Sequence, residues 1–159
     1  MNTTEKLAAA VWEADRHVGT LAEALAEWDR RPAADWKALE ADRGCVRLVD
    51  QLLFRFIKLQ DAVGERLVPA TLVALEEPCE DWAMRDRLNR LEKLGYVDVD
   101  SWLAWREVRN RLAHEYPDRP ELRFAALLAA IEAARALAAR YRQWRASLET
   151  AGLLDAGMP

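Results

Sequence analysis

The chain has 159 residues, 52% of them apolar, with a formal net charge of −4 and a sequence isoelectric point near 5.3. That length suits one domain with a sizeable buried core, and that charge argues against a protein that coats nucleic acid with a basic face, while permitting a local basic site. Six glycines, abundant Ala, Leu, Arg and Glu, and no sustained alternation of β-branched residues predict an all-α protein without a sheet.

Taken in chain order, Thr3 or Thr4 can cap a first helix running to about Arg30, with Leu7, Val11, Val18, Leu21, Leu25 and Trp28 at helical intervals. Arg31-Pro32 ends it. A second helix is predicted from Ala34–Trp36 through the Leu48, Leu52, Phe56, Leu59 stripe, with Gly44 marking a kink or a late start. Gly64 and Pro69 predict a bend, then a further turn or two to Leu75, before the short loop Glu76-Glu77-Pro78-Cys79. Glu80 or Asp81 opens a helix with Met84, Leu88, Leu91 and Leu94 facing inward, closed by Gly95.

Asp98 or Asp100 caps the next helix, starting near Ser101. Asp118-Arg119-Pro120-Glu121 has capping-box spacing, and a long helix follows to about Leu148 with a face of Leu122, Ala126, Ala129, Ala133, Leu137 and Tyr141. The expected architecture is an up-and-down bundle of about five helices, with residues 1–150 as one domain and 151–159 as a flexible tail. Glu5, Glu13 and Asp15 break the first apolar stretch in a way a signal peptide would not, and the apolar run from Phe124 to Ala134 is too short to span a bilayer. Cys45 and Cys79 match no metal spacing and read as free thiols, so the sequence predicts a cytoplasmic protein.

The most informative stretch is Arg109-Asn110-Arg111-Leu112-Ala113-His114-Glu115-Tyr116, followed by Pro117. Trp105, Val108 and Leu112 give it helical spacing, and Pro117 places its end at a helix exit. Arg109 and Tyr116, seven apart, fall nearly in line, as do Asn110 and His114, four apart. Arg109 and His114 point about 140° from one another on an ideal helix. They can act together only if the helix end distorts or a second chain completes the site. Glu107–Arg111 and Arg111–Glu115 have ion-pair spacing, which leaves Arg109 as the freer arginine.

The pattern Arg109-Asn110-x-x-x-His114-x-Tyr116 resembles the signature of HEPN-domain ribonucleases, in particular the HepT-like toxins of prokaryotic toxin–antitoxin pairs. Phe54-Arg55-Phe56-Ile57-Lys58-Leu59-Gln60-Asp61 with Gly64-Glu65-Arg66-Leu67, and Leu88-Asn89-Arg90-Leu91-Glu92-Lys93-Leu94-Gly95, resemble two further blocks of that family. The likeness covers roughly residues 43 to 118. It implies a HEPN-like homodimer that cuts RNA without metal or cofactor, with Arg109, His114 and Asn110 as catalytic residues. It further implies that a small nucleotidyltransferase antitoxin silences the enzyme by adenylylating Tyr116.

The chemistry suits these residue types. A neutral imidazole can take the proton of a ribose 2′-hydroxyl, and a guanidinium can hold two phosphate oxygens as charge builds. With His17 and His114 the only imidazoles and no His/Cys/carboxylate cluster around either, no metal site is indicated. Lys58, Arg106, Arg140 and Arg142 are candidate RNA contacts. Asp61 is a candidate acceptor for Arg109 or Arg111 across helices. The run Arg135 to Arg145, interleaved with Tyr141 and Trp144, reads either as an RNA track or as a solvated face over a core stripe. The rival to the enzyme is a non-catalytic helical binding partner of a nucleotidyltransferase.

Overall fold

The computed structural model describes residues 1–114 and 116–157. Among these the chain is all-helical, 78% helix, with no strands. Helix α1 is Thr3–Arg30, α2 Trp36–Ala41, α3 Arg43–Ala62, α4 Val68–Ala74, α5 Met84–Lys93, α6 Val99–Leu112 and α7 Pro120–Thr150. A π-helical segment, Val63–Leu67, joins α3 to α4 without a break, so the bundle has six rods rather than about five.

The caps explain most departures from the sequence reading. Asn2, not Thr3 or Thr4, caps α1. Its Oδ1 accepts from the Glu5 N–H at 2.8 Å while Glu5 Oε2 accepts from the Asn2 N–H at 2.8 Å, a reciprocal pair that satisfies two otherwise orphaned donors. Asp35 caps α2, whose six residues bury nothing, and Asp42 then accepts from the Gly44 and Cys45 N–H groups to restart the chain as α3. The weakness at Gly44 is thus a helix start. Neither Glu80 nor Asp81 caps α5, which begins at Met84 with no side-chain cap, and Leu94 lies 38% exposed instead of inward. Gly95 does close α5, with φ +86°, the Gly95 N–H donating to Glu92 and the Tyr96 N–H reaching Leu91. Asp98 caps α6 through Ser101. At α7 no capping box forms: Arg119 occupies the cap position without a side-chain bond, and Pro120 takes the first turn.

Contacts between rods set their directions. Glu13 pairs with Arg66 and His17 meets Arg55, so α1 runs antiparallel to α3. Asp29 pairs with Arg135 and Asp15 with Arg145, so α1 is also antiparallel to α7. Arg109 reaches Asp61 and Trp102 lies against Gly64, which makes α6 antiparallel to the α3–α4 rod. One core joins them, with Leu21, Trp28, Leu52, Phe56, Leu59, Trp102, Leu137, Tyr141 and Trp144 all buried. Trp144 donates Nε1–H to Thr71 Oγ1 at 3.0 Å, so two fully buried polar groups satisfy each other.

The α7 face is rotated from the predicted one. Of the predicted face Ala133, Leu137 and Tyr141 are buried and Ala126 is half-buried, whereas Leu122 and Ala129 are exposed; Leu127, Ala130, Ile131, Ala134, Ala138, Trp144 and Leu148 complete the buried side. The expected frayed tail is tied back as well. Gly152, at φ +72°, lets the Leu153 N–H donate to the Leu148 carbonyl at 3.0 Å, and Leu154 is buried to 6% exposure. Met158 and Pro159 lie outside the described residues. No helix among the described residues is long and apolar enough to cross a membrane.

Candidate active site

Helix α6 ends at Leu112, so its last turn carries Arg109 and Asn110 while His114 and Tyr116 stand on the exit. The His114 N–H still donates to the Arg111 carbonyl at 3.0 Å, which holds the exit close to the helix. Tyr116 then takes φ +43°, a left-handed conformation in which its Cβ crowds the following carbonyl. Pro117 accounts for the end of the helix, because it disfavours the ordinary helical conformation at Tyr116, but it favours extended backbone there, so the positive φ is imposed by the turn itself. The Tyr116 carbonyl accepts the Arg119 N–H at 3.0 Å, closing a tight turn into α7. Backbone strain of this kind persists only where the surroundings impose it, and it concentrates at functional positions.

The strained turn faces a cleft of about 480 Å³ between α2 and the start of α3 on one wall and the start of α7 on the other. Trp36, Leu53, Leu112, Phe124 and Leu127 make it largely apolar, and His114 and Tyr116 stand on its lining with Asp50 and the Glu40–Arg123 pair, joined at 2.6 Å. His114 is exposed, and its ring lies 6.2 Å from that of Tyr116 at 57°. Nothing in sequence spacing could have supplied Glu40 and Arg123, 83 residues apart, or the apolar wall from α2 and α3.

Arg109 is elsewhere. Its Nη2 donates to Asp61 Oδ1 at 2.8 Å, one of the two cross-helix pairs the sequence left open, so it is not the freer arginine expected, and it does not line the cleft. Its Nε is buried without a hydrogen-bond partner, as are both amide atoms of Gln60 and Nε1 of Trp102. These lie around the crossing of α6 with the π-helical segment, where Trp102 meets Gly64. Arg109 and His114 of one chain therefore occupy different surroundings, as their 140° separation on an ideal helix predicts. Asn110 is exposed, with no hydrogen bond to His114 among the described residues. Arg111 pairs with Glu107 at 2.8 Å, which leaves it structural; the expected partner Glu115 lies outside the described residues.

Arg106 is exposed one turn before Arg109, and Lys58 stands over the ring of Phe54, Nζ 5.6 Å from its centroid. Arg140 and Arg142 lie about 30 Å along α7 from its start at the cleft, by the rise of 1.5 Å per residue. Their neighbours fit a solvated face over a core stripe. Tyr141 is buried and donates to Asp15, and burial together with that carboxylate pushes its phenol well above the ordinary value. Trp144 is buried too, so neither ring is open to a base. Arg135 is taken by Asp29 and Glu132, and Arg145 by Asp15 and Glu149. Two of these four acids, Asp15 and Asp29, arrive from α1, and the other two, Glu132 and Glu149, flank the run on α7 itself.

Cys45 and Cys79 are free thiols, and no group of three or more His, Cys, Asp or Glu able to hold a metal occurs among the described residues. Among the described residues the molecule is thus an all-helical bundle with a histidine–tyrosine pair on the lining of a largely apolar cleft. Comparison with protein-family models, with curated proteins and with solved structures finds no match to the chain.

Proposed function

We propose that the protein is a HEPN-type, metal-independent endoribonuclease that acts as a homodimer and serves as the toxin of a prokaryotic toxin–antitoxin module. The observation that carries this reading is the exposed imidazole of His114, set beside Tyr116 on a strained turn that lines the cleft. His114 takes the proton of a ribose 2′-hydroxyl as that oxygen attacks phosphorus. The bond to the 5′-oxygen breaks, and the leaving oxygen is protonated by the second imidazole of a dimer. The products are a 2′,3′-cyclic phosphate and a 5′-hydroxyl. Arg109 holds the phosphate oxygens as charge develops, with Asp61 fixing its guanidinium, and Asn110 orients the reacting groups. Because Arg109 and His114 of one chain do not share the cleft, a two-fold pairing that brings two of each together supplies the missing half. Lys58 and Arg106 flank Arg109 as contacts for the RNA backbone, while Arg140 and Arg142 can meet only a distant part of the strand.

Silencing follows on Tyr116. An adenylate attached there by a partner nucleotidyltransferase adds bulk and negative charge at the cleft, where substrate must bring its own phosphate. Purified protein with total RNA tests the reading. Cleavage should persist in EDTA, leave cyclic phosphate ends, and disappear in His114→Ala and Arg109→Ala with melting nearly unchanged. Activity that survives His114→Ala, or that EDTA abolishes, refutes it. The second reading, a non-catalytic binding partner of a nucleotidyltransferase, draws on the cleft itself. Its apolar walls and the carboxylates of Glu40 and Asp50 suit a protein segment better than an RNA backbone. It predicts no cleavage, and a stable complex with the nucleotidyltransferase.

A further inference from the structure

The face formed by α1 and α3, on the side of α3 that leads to Asp61, carries two large aromatic rings in solvent. Trp12 is 55% exposed and Phe54 52% exposed, in a protein that buries Trp28, Trp102, Trp105 and Trp144. Neither ring stands alone. The Arg16 guanidinium lies 5.8 Å from the Trp12 ring centroid, and the Arg55 guanidinium and Lys58 ammonium each lie 5.6 Å from that of Phe54.

His17 joins α1, which carries Trp12 and Arg16, to Arg55 beside Phe54 on α3. Arg55 Nη1 donates to His17 Nδ1 at 3.0 Å, and since a guanidinium can only donate, the histidine proton sits on Nε2. Arg55, Arg16 and Lys58 are all near enough for their charge to act on that ring, against the single carboxylate of Glu13, itself paired with Arg66. Along α3, Phe54, Lys58 and Asp61 fall at four- and three-residue steps on one side, and Asp61 holds Arg109. A chain that is acidic overall thus presents two open aromatic rings, each beside cations, on its α1–α3 side, which runs past Lys58 and Asp61 to the motif arginine.

We propose that this surface binds single-stranded RNA, with bases stacked on Phe54 and Trp12 and phosphates held by Arg16, Arg55 and Lys58. The combination is selective in kind. A second copy of the chain or a partner helix would be served by apolar neighbours, whereas rings flanked by cations match a polyanion whose bases offer π faces. Duplexes hide those faces and should bind more weakly. The strand runs past Lys58 toward Arg109, so the surface extends the ribonuclease reading, although binding itself requires no cleavage.

The test uses the full chain and a fluorescein-labelled oligouridylate with 2′-O-methyl groups, which lacks the hydroxyl needed for cleavage. Anisotropy titration reads binding by the wild type, by Phe54→Ala, Trp12→Ala and Lys58→Glu, and by Leu128→Ala as a control at another exposed apolar residue. Stacking of the size measured at other single-strand sites predicts a loss of roughly 5- to 150-fold for each aromatic truncation. Phe54→Tyr should retain binding, and Leu128→Ala should match the wild type. Lys58→Glu, which loses one phosphate contact and adds a repelling charge, should flatten the log–log salt dependence by at least about 0.7. Because both rings are exposed, circular dichroism should show the variants folded.

Wild-type-like binding by both aromatic variants overturns the proposal. So does an absence of binding in a wild-type dimer that Phe54→Ala or Trp12→Ala dissociates, which would assign the face to self-association. Binding without cleavage of total RNA would reject the ribonuclease reading and keep the surface. Cleavage with no dependence on Trp12, Phe54 or Lys58 would do the reverse.

Discussion

Replacing Gly64 by alanine sets two effects of similar size against each other at the joint beneath Arg109. Gly64 is buried in the π-helical segment with an ordinary helical backbone, so alanine meets no conformational penalty and should gain about 1 kcal/mol of helix preference. The added Cβ, however, would sit 3.0 Å from Trp102 Cζ2 and 3.5 Å from Cη2, the first well inside the 3.5–4.0 Å optimum for carbon atoms. Trp102 is 1% exposed and packed edge-on against Trp105, with ring centroids 6.5 Å apart, so it has little room to retreat. Overpacking of this kind costs about 1–3 kcal/mol. The net expectation for Gly64→Ala is a destabilisation of about 1 kcal/mol. In a Trp102→Phe background the offending ring is gone, and the same change should instead stabilise, by up to about 1 kcal/mol. Urea unfolding followed by circular dichroism, run as a double-mutant cycle, measures a coupling near 2 kcal/mol. Equal effects of Gly64→Ala in both backgrounds would refute the close approach of α6 to the π-helical segment.

Three further outcomes follow from named contacts. Burial first, and then the charge of Arg55, hold the His17 pKa below its ordinary value of 6.5. Stability from this group is therefore present above pH 6.5 and lost as pH falls through the lowered folded value, and His17→Gln should flatten that part of a stability-versus-pH curve. Leu154→Ala should cost about 2 kcal/mol in thermal or urea unfolding, the low end for a buried leucine, where a frayed tail would cost nothing. Asp61→Asn should lower stability by less than about 1 kcal/mol, since both partners of the Arg109 pair are about a third exposed. RNA cleavage should nonetheless fall several-fold as the guanidinium loses its orientation; unchanged cleavage would remove Asp61 from the site.

Much of this molecule is written in local chemistry and can be read along the chain. Helices wherever leucine, valine and tryptophan recur at three and four, the stop at Pro32, the glycine closure at Gly95 and the Asp98 cap depend on neighbours within a turn, and all are found. So does the exit of the motif helix before Pro117. Even Asp61 could be named as an acceptor for Arg109 or Arg111, because a carboxylate and a guanidinium on adjacent helices are complementary, and the packing then chose Arg109. Where two local solutions compete, the choice turned on finer geometry: Asn2 with Glu5 outcompetes Thr3 and Thr4, and Pro120 without a side-chain cap replaces the expected capping box.

Tertiary structure alone decided the rest, because the deciding partners are distant in sequence. Which side of the alanine-rich α7 is buried depends on where α1 and α6 lie, since its small apolar residues are spread around the helix and mark no single face. Arg135 and Arg145 have acids at helical spacing in Glu132 and Glu149, and packing adds Asp29 and Asp15 from α1, which no spacing on α7 could have shown. The tail is held by Leu154 against the bundle. The cleft at His114 owes its walls to α2, α3 and α7 together, and the cation-flanked rings of Trp12 and Phe54 come to lie on neighbouring rods only because α1 and α3 pack side by side. Periodicity reports which residues share a side of one helix; only the packing of helices decides which sides meet and which are left to solvent.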